Sequence, residues 1–70
     1  MNFGYYLEKL IIDNNIKKSV FAKKIGVTRQ SLTTNIDKWK NGREPNIKTM
    51  KKYMAAFNLD ISNFFNQNVR

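Results

Sequence analysis

The sequence predicts an all-α protein, a compact five-helix bundle that forms one domain of 70 residues. Three observations point to this class. Apolar residues recur at helical spacings along the chain, no segment alternates with period two for long enough to form a strand, and capping residues or glycines separate the stripes. A chain this short buries only about 60% of its unfolded surface, so its core must be a single cluster.

The first helix is predicted near residues 3–13, where an apolar stripe follows helical spacing: Phe3, Leu7, Leu10 and Ile11. The second helix is predicted near residues 17–25, where a shorter stripe is formed by Phe21, Ala22 and Ile25. Gly26 comes directly after this stripe, at the position where a helix usually ends in the left-handed conformation.

The third helix is predicted near residues 28–41. Thr28 offers a hydroxyl that can cap its first turn, and Asn41-Gly42 closes its end. Its narrow apolar stripe consists of Leu32, Ile36 and Trp39. Because Trp39 shares that stripe, we expect its ring in the core rather than exposed as a stacking surface.

Two further helices are predicted near residues 46–57 and 61–66. Pro45 and Asn46 open the fourth helix, and its apolar positions are Ile47, Met50, Met54 and Phe57. Asp60 is placed to cap the fifth helix, whose apolar positions are Ile61, Phe64 and Phe65. Adjacent residues on a helix point about 100° apart, so one of the two phenylalanines can fill the core and the other faces outward.

The composition argues against an enzyme and against a metal or other cofactor. The chain has no Cys and no His, which removes the thiol nucleophile and the usual general base. Five acidic residues scattered along the sequence are a poor supply of metal ligands, and no acidic cluster for the magnesium of a nuclease is present.

Basic residues dominate, with 13 Lys or Arg against five Asp or Glu and a net charge of +8. Residues 17–43 alone carry eight bases and one acid. Such an excess favours polyanions, with nucleic acid ahead of a membrane surface. The apolar stripes are short and complementary, which suits a packed bundle better than a membrane-surface helix. With no spanning segment and no signal peptide in view, we expect a cytoplasmic protein without a membrane partner.

A helix-turn-helix unit spans about residues 17–41, in the most basic part of the chain. Phe21 and Ala22 on its first helix, Val27 in the turn and Leu32 on its second helix can share one small core. Gly26 can take the positive φ that a tight turn needs.

In this arrangement the sequence resembles the Cro/repressor family of helix-turn-helix proteins, the xenobiotic-response-element type with a λ-repressor-like fold. The resemblance covers about residues 3–65 and rests on Phe21-Ala22, Gly26-Val27-Thr28, Leu32, Gly42-Arg43, Pro45, Ile47 and the segment 57–61. Gly26 and Gly42 stand about four residues further apart than the family's pattern has them, which is about one helical turn. We therefore expect a recognition helix about one turn longer than usual; the alternative is a longer loop after Asn35.

The resemblance implies a sequence-specific double-stranded DNA-binding transcription regulator, repressor or Cro-like, of a phage, plasmid or other mobile element. In such proteins the recognition helix lies in the major groove. Carried over by position, the base-reading residues are Arg29, Gln30, Thr33 and Thr34. The phosphate-contacting residues are Lys17, Lys18, Ser31, Lys38, Lys40, Asn41 and Arg43. Asp37 lies towards the same side, and we expect it to pair with Lys38 or Lys40; the alternative is that its carboxylate accepts from cytosine N4.

A homodimer on a palindromic operator is the expected assembly, because a single small module buries only about 600–1,000 Å² on DNA. The family often pairs its subunits through the last helix, which makes Phe64 and Phe65 the candidate dimer interface. An alternative role on the same fold is an antitoxin or antirepressor that acts through a protein partner.

Overall fold

The computed structural model describes residues 2–68, with side chains described for residues 2–66. This part of the chain forms five helices and no strand: α1 (Phe3–Asp13), α2 (Lys18–Ile25), α3 (Arg29–Lys40), α4 (Ile47–Ala55) and α5 (Ser62–Asn68). The predicted all-α bundle is confirmed, and the ends of each helix lie within two residues of the prediction. Among these helices, none is long and apolar enough to cross a membrane.

Neutral polar side chains cap three of the helices. Oxygens of Asn2, Thr28 and Asn46 each accept a hydrogen bond from the backbone amide three residues further on, which begins α1, α3 and α4. The predicted Thr28 cap is thereby confirmed. Lys17 precedes α2 without a side-chain cap, and none of the five described helices has an acidic residue in its first turn.

The turn between α2 and α3 depends on Gly26. Its φ of +82° is in the left-handed region, as predicted, and a side chain there would be strained. The amide of Val27 donates to the carbonyl oxygen of Ala22 at 2.9 Å, which closes the end of α2. Only residues 26–28 separate the two helices, so the helix-turn-helix unit is tight.

All five helices contribute to one hydrophobic core. Its buried residues are Phe3, Tyr6, Leu7, Ile11, Phe21, Ala22, Ile25, Leu32, Ile36, Trp39, Met50, Tyr53, Met54 and Phe64. The predicted stripes of α1, α2 and α3 are therefore largely confirmed, with Leu10 only partly buried. On α4 the expectation for Ile47 is wrong: the side chain is 46% exposed, and the buried residues of this helix are Met50, Tyr53 and Met54.

Aromatic rings join α5 to the rest of the bundle. The ring of Phe64 lies 5.3 Å from that of Phe3 and 5.1 Å from that of Tyr6, centroid to centroid. Trp39 packs edge-on against Tyr53 at 5.2 Å. Phe64 is thus the core member of the adjacent pair, and Phe65, which is 38% exposed, is the outward one.

Candidate nucleic-acid interface

The outward side of α3 carries a polar stripe directly opposite its buried residues. Gln30, Thr34 and Asp37 follow one another at spacings of four and three residues, and all three are exposed. Asn41, the residue at which α3 ends, continues the same line. We call these four residues the outer stripe. All four are exposed on the described part of the bundle, so the helix can present them to a ligand.

The other two predicted base-reading residues lie on one edge of the outer stripe. Arg29 is exposed and Thr33 is half-buried. Thr33 follows Arg29 by four residues and Lys40 follows Thr33 by seven, so the three share one flank of α3. Lys40 on this flank contacts α1. Gln30 and Thr34 are therefore central on this face, and Arg29 and Thr33 border it.

A shallow groove runs along the opposite edge of the stripe. It is lined by Thr28, Gln30, Ser31, Thr34 and Asn35. Hydroxyl and amide groups both donate and accept hydrogen bonds, so this lining can pair with base edges as well as with phosphate oxygens. Asn35 was missed by sequence reasoning, although its place four residues after Ser31 is a signal that could have found it.

A second groove lies where α3 ends and α4 begins. Its lining comprises Asn35, Lys38, Trp39, Arg43, Glu44, Pro45, Asn46 and Thr49. Lys38 and Arg43 are exposed and form no ion pair within residues 2–66. The nearby carboxylate of Glu44 accepts a hydrogen bond from the backbone amide of Phe3 at 3.1 Å, so it binds the start of α1 and not these two cations. The two cations are thus available to a phosphate.

Lys18 and Lys40 are in a different situation, because both contact the carboxylate of Glu8. The Nζ of Lys40 lies 2.6 Å from Oε1, and the Nζ of Lys18 lies 3.8 Å from Oε2. The hydrogen bond to Glu8 raises the pKa of Lys40 above its ordinary value, so its charge is held more firmly. Glu8 was missed by sequence reasoning, since no pattern shows which lysines an acid on another helix will meet.

Two further expectations concern Lys17 and Asp37. Lys17 lines a separate groove with Ile12, Asn15 and Ile16, away from the lining of the other two grooves. Asp37 forms no close ion pair with Lys38 or Lys40 among the described side chains, because Lys40 binds Glu8. Its charge still acts on Lys40 and adds to the rise in pKa that Glu8 causes. The carboxylate of Asp37 is left exposed on the outer stripe.

Comparison with known proteins identifies the family. Residues 6–67 match the family model of the Cro/C1-type HTH DNA-binding domain, which covers nearly the whole chain. No curated protein and no solved structure matches the chain significantly. The match includes the tight turn at Gly26, α3 with its outer stripe, and both grooves that border it. The chain therefore belongs to the family of Cro/C1-type helix-turn-helix DNA-binding domains.

Proposed function

We propose that this DNA-binding regulator recognises a specific double-stranded operator and controls transcription, as a repressor or Cro-like protein of a phage, plasmid or other mobile element. The observation that carries the proposal is the outer stripe. Gln30 and Thr34 are exposed and central on α3, and exposed cations border them at Lys38 and Arg43. Base contacts can then come from the stripe and phosphate contacts from its borders.

The division of labour follows from the chemistry of the side chains. The amide of Gln30 can pair with N6 and N7 of adenine, whereas the guanidinium of Arg43 suits a phosphate, which carries no sequence information. Arg29, at the edge, can reach guanine O6 and N7. Thr33, Thr34, Ser31 and Asn41 add shorter hydrogen-bonding groups around them. Lys17 lines a separate groove and would contact phosphate away from the outer stripe.

The test begins with selection of bound duplexes from random sequence, which supplies the cognate site. Gln30→Ala is then expected to cost about 1–3 kcal/mol on that site and little on a scrambled duplex. Arg43→Ala is expected to weaken both duplexes alike and to lower the slope of log K against log salt by about one. Lys9→Ala is the matched control, since it removes the same charge from an exposed pair with Asp13 on α1.

Equal losses for Gln30→Ala on cognate and scrambled duplexes would contradict the assignment of the outer stripe to base reading. A selection that returns no preferred sequence would contradict the operator-binding proposal itself. It would favour the alternative role, in which an antitoxin or antirepressor acts through a protein partner.

A homodimer on a palindromic operator is part of the proposal. What supports it is Phe65, an exposed aromatic ring on α5 that packs against Phe64 at 5.3 Å. Phe64 itself fills the core, so Phe65 is the one of the two that a second protomer can cover. A single small module reads too few base pairs for high specificity, and two copies would double that number.

A further inference from the structure

Glu8 joins three helices through its carboxylate. It extends from α1 to Lys18 at the start of α2 and to Lys40 at the end of α3. The Oε2 atom lies 3.8 Å from Nζ of Lys18, and the Oε1 atom lies 2.6 Å from Nζ of Lys40. The three side chains are only 22–33% exposed, so this cluster is better shielded from water than the Lys9–Asp13 ion pair, whose side chains are 57–61% exposed.

Lys40 is held by more than this ion pair. Its Nζ lies 5.1 Å from the centre of the Tyr5 ring, within the range of a cation–π contact. Its backbone carbonyl accepts from the side-chain amide of Asn2 at 2.8 Å. The side chain is therefore held against α1 by Glu8 and Tyr5, and it would have to give up both of those contacts to reach a phosphate.

An acid at this position has an electrostatic cost for a DNA-binding surface. Binding to any duplex strengthens with each phosphate that a Lys or Arg neutralises, because each such contact releases a counterion. Glu8 already neutralises part of the charge of two lysines, so a phosphate must compete with its carboxylate. A glutamine of the same shape would leave both lysines charged and without that competitor.

We propose that Glu8 withholds Lys18 and Lys40 from the DNA phosphates and so limits how tightly the protein binds any duplex. This inference rests on the proposed function and deepens it: Lys18 and Lys40 leave the set of phosphate contacts, and Glu8 becomes the residue that controls them. Lys38 and Arg43, which have no such partner among residues 2–66, keep their role.

The experiment compares Glu8→Gln with Asp13→Asn, measuring affinity for a scrambled duplex across a series of salt concentrations. Both changes raise the net charge by one, but among residues 2–66 the ion pair of Asp13 is with Lys9, which is no phosphate candidate. Glu8→Gln is expected to steepen the slope of log K against log salt by about one to two. Each lysine released then multiplies the ratio of the affinity at 0.1 M salt to that at 1 M salt by about ten. Asp13→Asn is expected to change the slope far less.

Lys18→Ala and Lys40→Met, each made with and without Glu8→Gln, give a second test, and the variants in the wild-type background can be measured even if Glu8→Gln fails to fold. In the wild-type background Lys18→Ala and Lys40→Met are expected to leave the salt slope unchanged. In the Glu8→Gln background each is expected to lower it by about one. This interaction between the two positions is a readout that a loss of stability alone would not produce.

Equal slopes for Glu8→Gln and Asp13→Asn would overturn the inference. A lower slope for Lys18→Ala in the wild-type background, or weaker binding by folded Glu8→Gln, would overturn it too, since both would mean that the carboxylate aims the lysines at phosphate. These results leave the proposed function intact. Wild-type protein that binds no duplex at low salt would instead overturn the proposed function, and this inference with it.

Discussion

At the scale of single residues, Gly4 decides how closely two helices approach. A Cβ atom at this position would lie 2.5 Å from the backbone nitrogen of Lys40 and 2.8 Å from the carbonyl oxygen of Ile36. These are backbone atoms, which cannot turn aside as the end of a side chain can. The absence of a side chain therefore lets α1 lie directly against the last turn of α3.

Gly4→Ala is expected to destabilise the protein by about 1–3 kcal/mol, because α1 and α3 must move apart. In an open helix the same change would stabilise by about 0.5–1 kcal/mol, so the two expectations differ in sign. Thermal unfolding of the free protein measures the effect. A variant that melts at or above the wild-type temperature would contradict the close contact between the two helices.

At the scale of the elements, α3 is one continuous helix through Lys40. The alternative of a longer loop after Asn35 is therefore wrong. Ile36 and Trp39, in the second half of the helix, are buried, and Trp39 makes ring contacts with Phe3 at 5.6 Å and Tyr53 at 5.2 Å. The prediction that Trp39 is a core residue is confirmed. The last turns of α3 thus fix its orientation, while its first turns carry most of the polar surface.

Trp39→Ala is expected to cost about 3–5 kcal/mol, a large share of the stability of a small domain. The reason is the cavity left between α1, α3 and α4, whose rings now contact the indole. Thermal or urea unfolding of the free protein gives the value. Gln30→Ala, on the opposite face of the same helix, serves as the control and should unfold close to wild type. Similar unfolding of the two variants would contradict the core assignment.

The five helices could be predicted because caps, glycines and apolar spacing are local signals. Thr28 and Gly26 show this, since each acts on the turn next to it. Gly4 and Glu8 could not be interpreted in this way. Their roles depend on which helices meet in three dimensions, and their partner Lys40 is more than 30 residues away along the chain. Gln30 could be located on α3, yet its contact with a base stays a prediction.

At the scale of the whole molecule, size and charge both bear on dimerisation. The longest dimension of the protein is 32 Å. Recognition helices of a dimer on DNA stand one helical turn apart, about 34 Å, so two protomers side by side can meet that spacing. The net charge of +8 opposes association of free protomers, whereas a duplex would neutralise it. We therefore expect DNA to promote the dimer.

Phe65→Glu is expected to abolish the dimer on a palindromic duplex while leaving the fold unchanged, because the ring is 38% exposed. Sedimentation with and without the duplex measures the number of chains per DNA. Phe64→Glu is the contrasting variant, and burial of its side chain predicts unfolding instead. One chain per duplex for the wild type, together with normal binding by Phe65→Glu, would rule out this interface.

The neutral helix caps affect the field around the whole protein. Each α-helix has a dipole equivalent to about half a positive charge at its N-terminus. Thr28 and Asn46 cap α3 and α4 without neutralising this partial charge. Both residues line the grooves beside the outer stripe. An aspartate at either position would stabilise its helix but repel phosphate. With neutral caps, two positive helix poles add to the attraction for DNA, a contribution that the formal charge does not include.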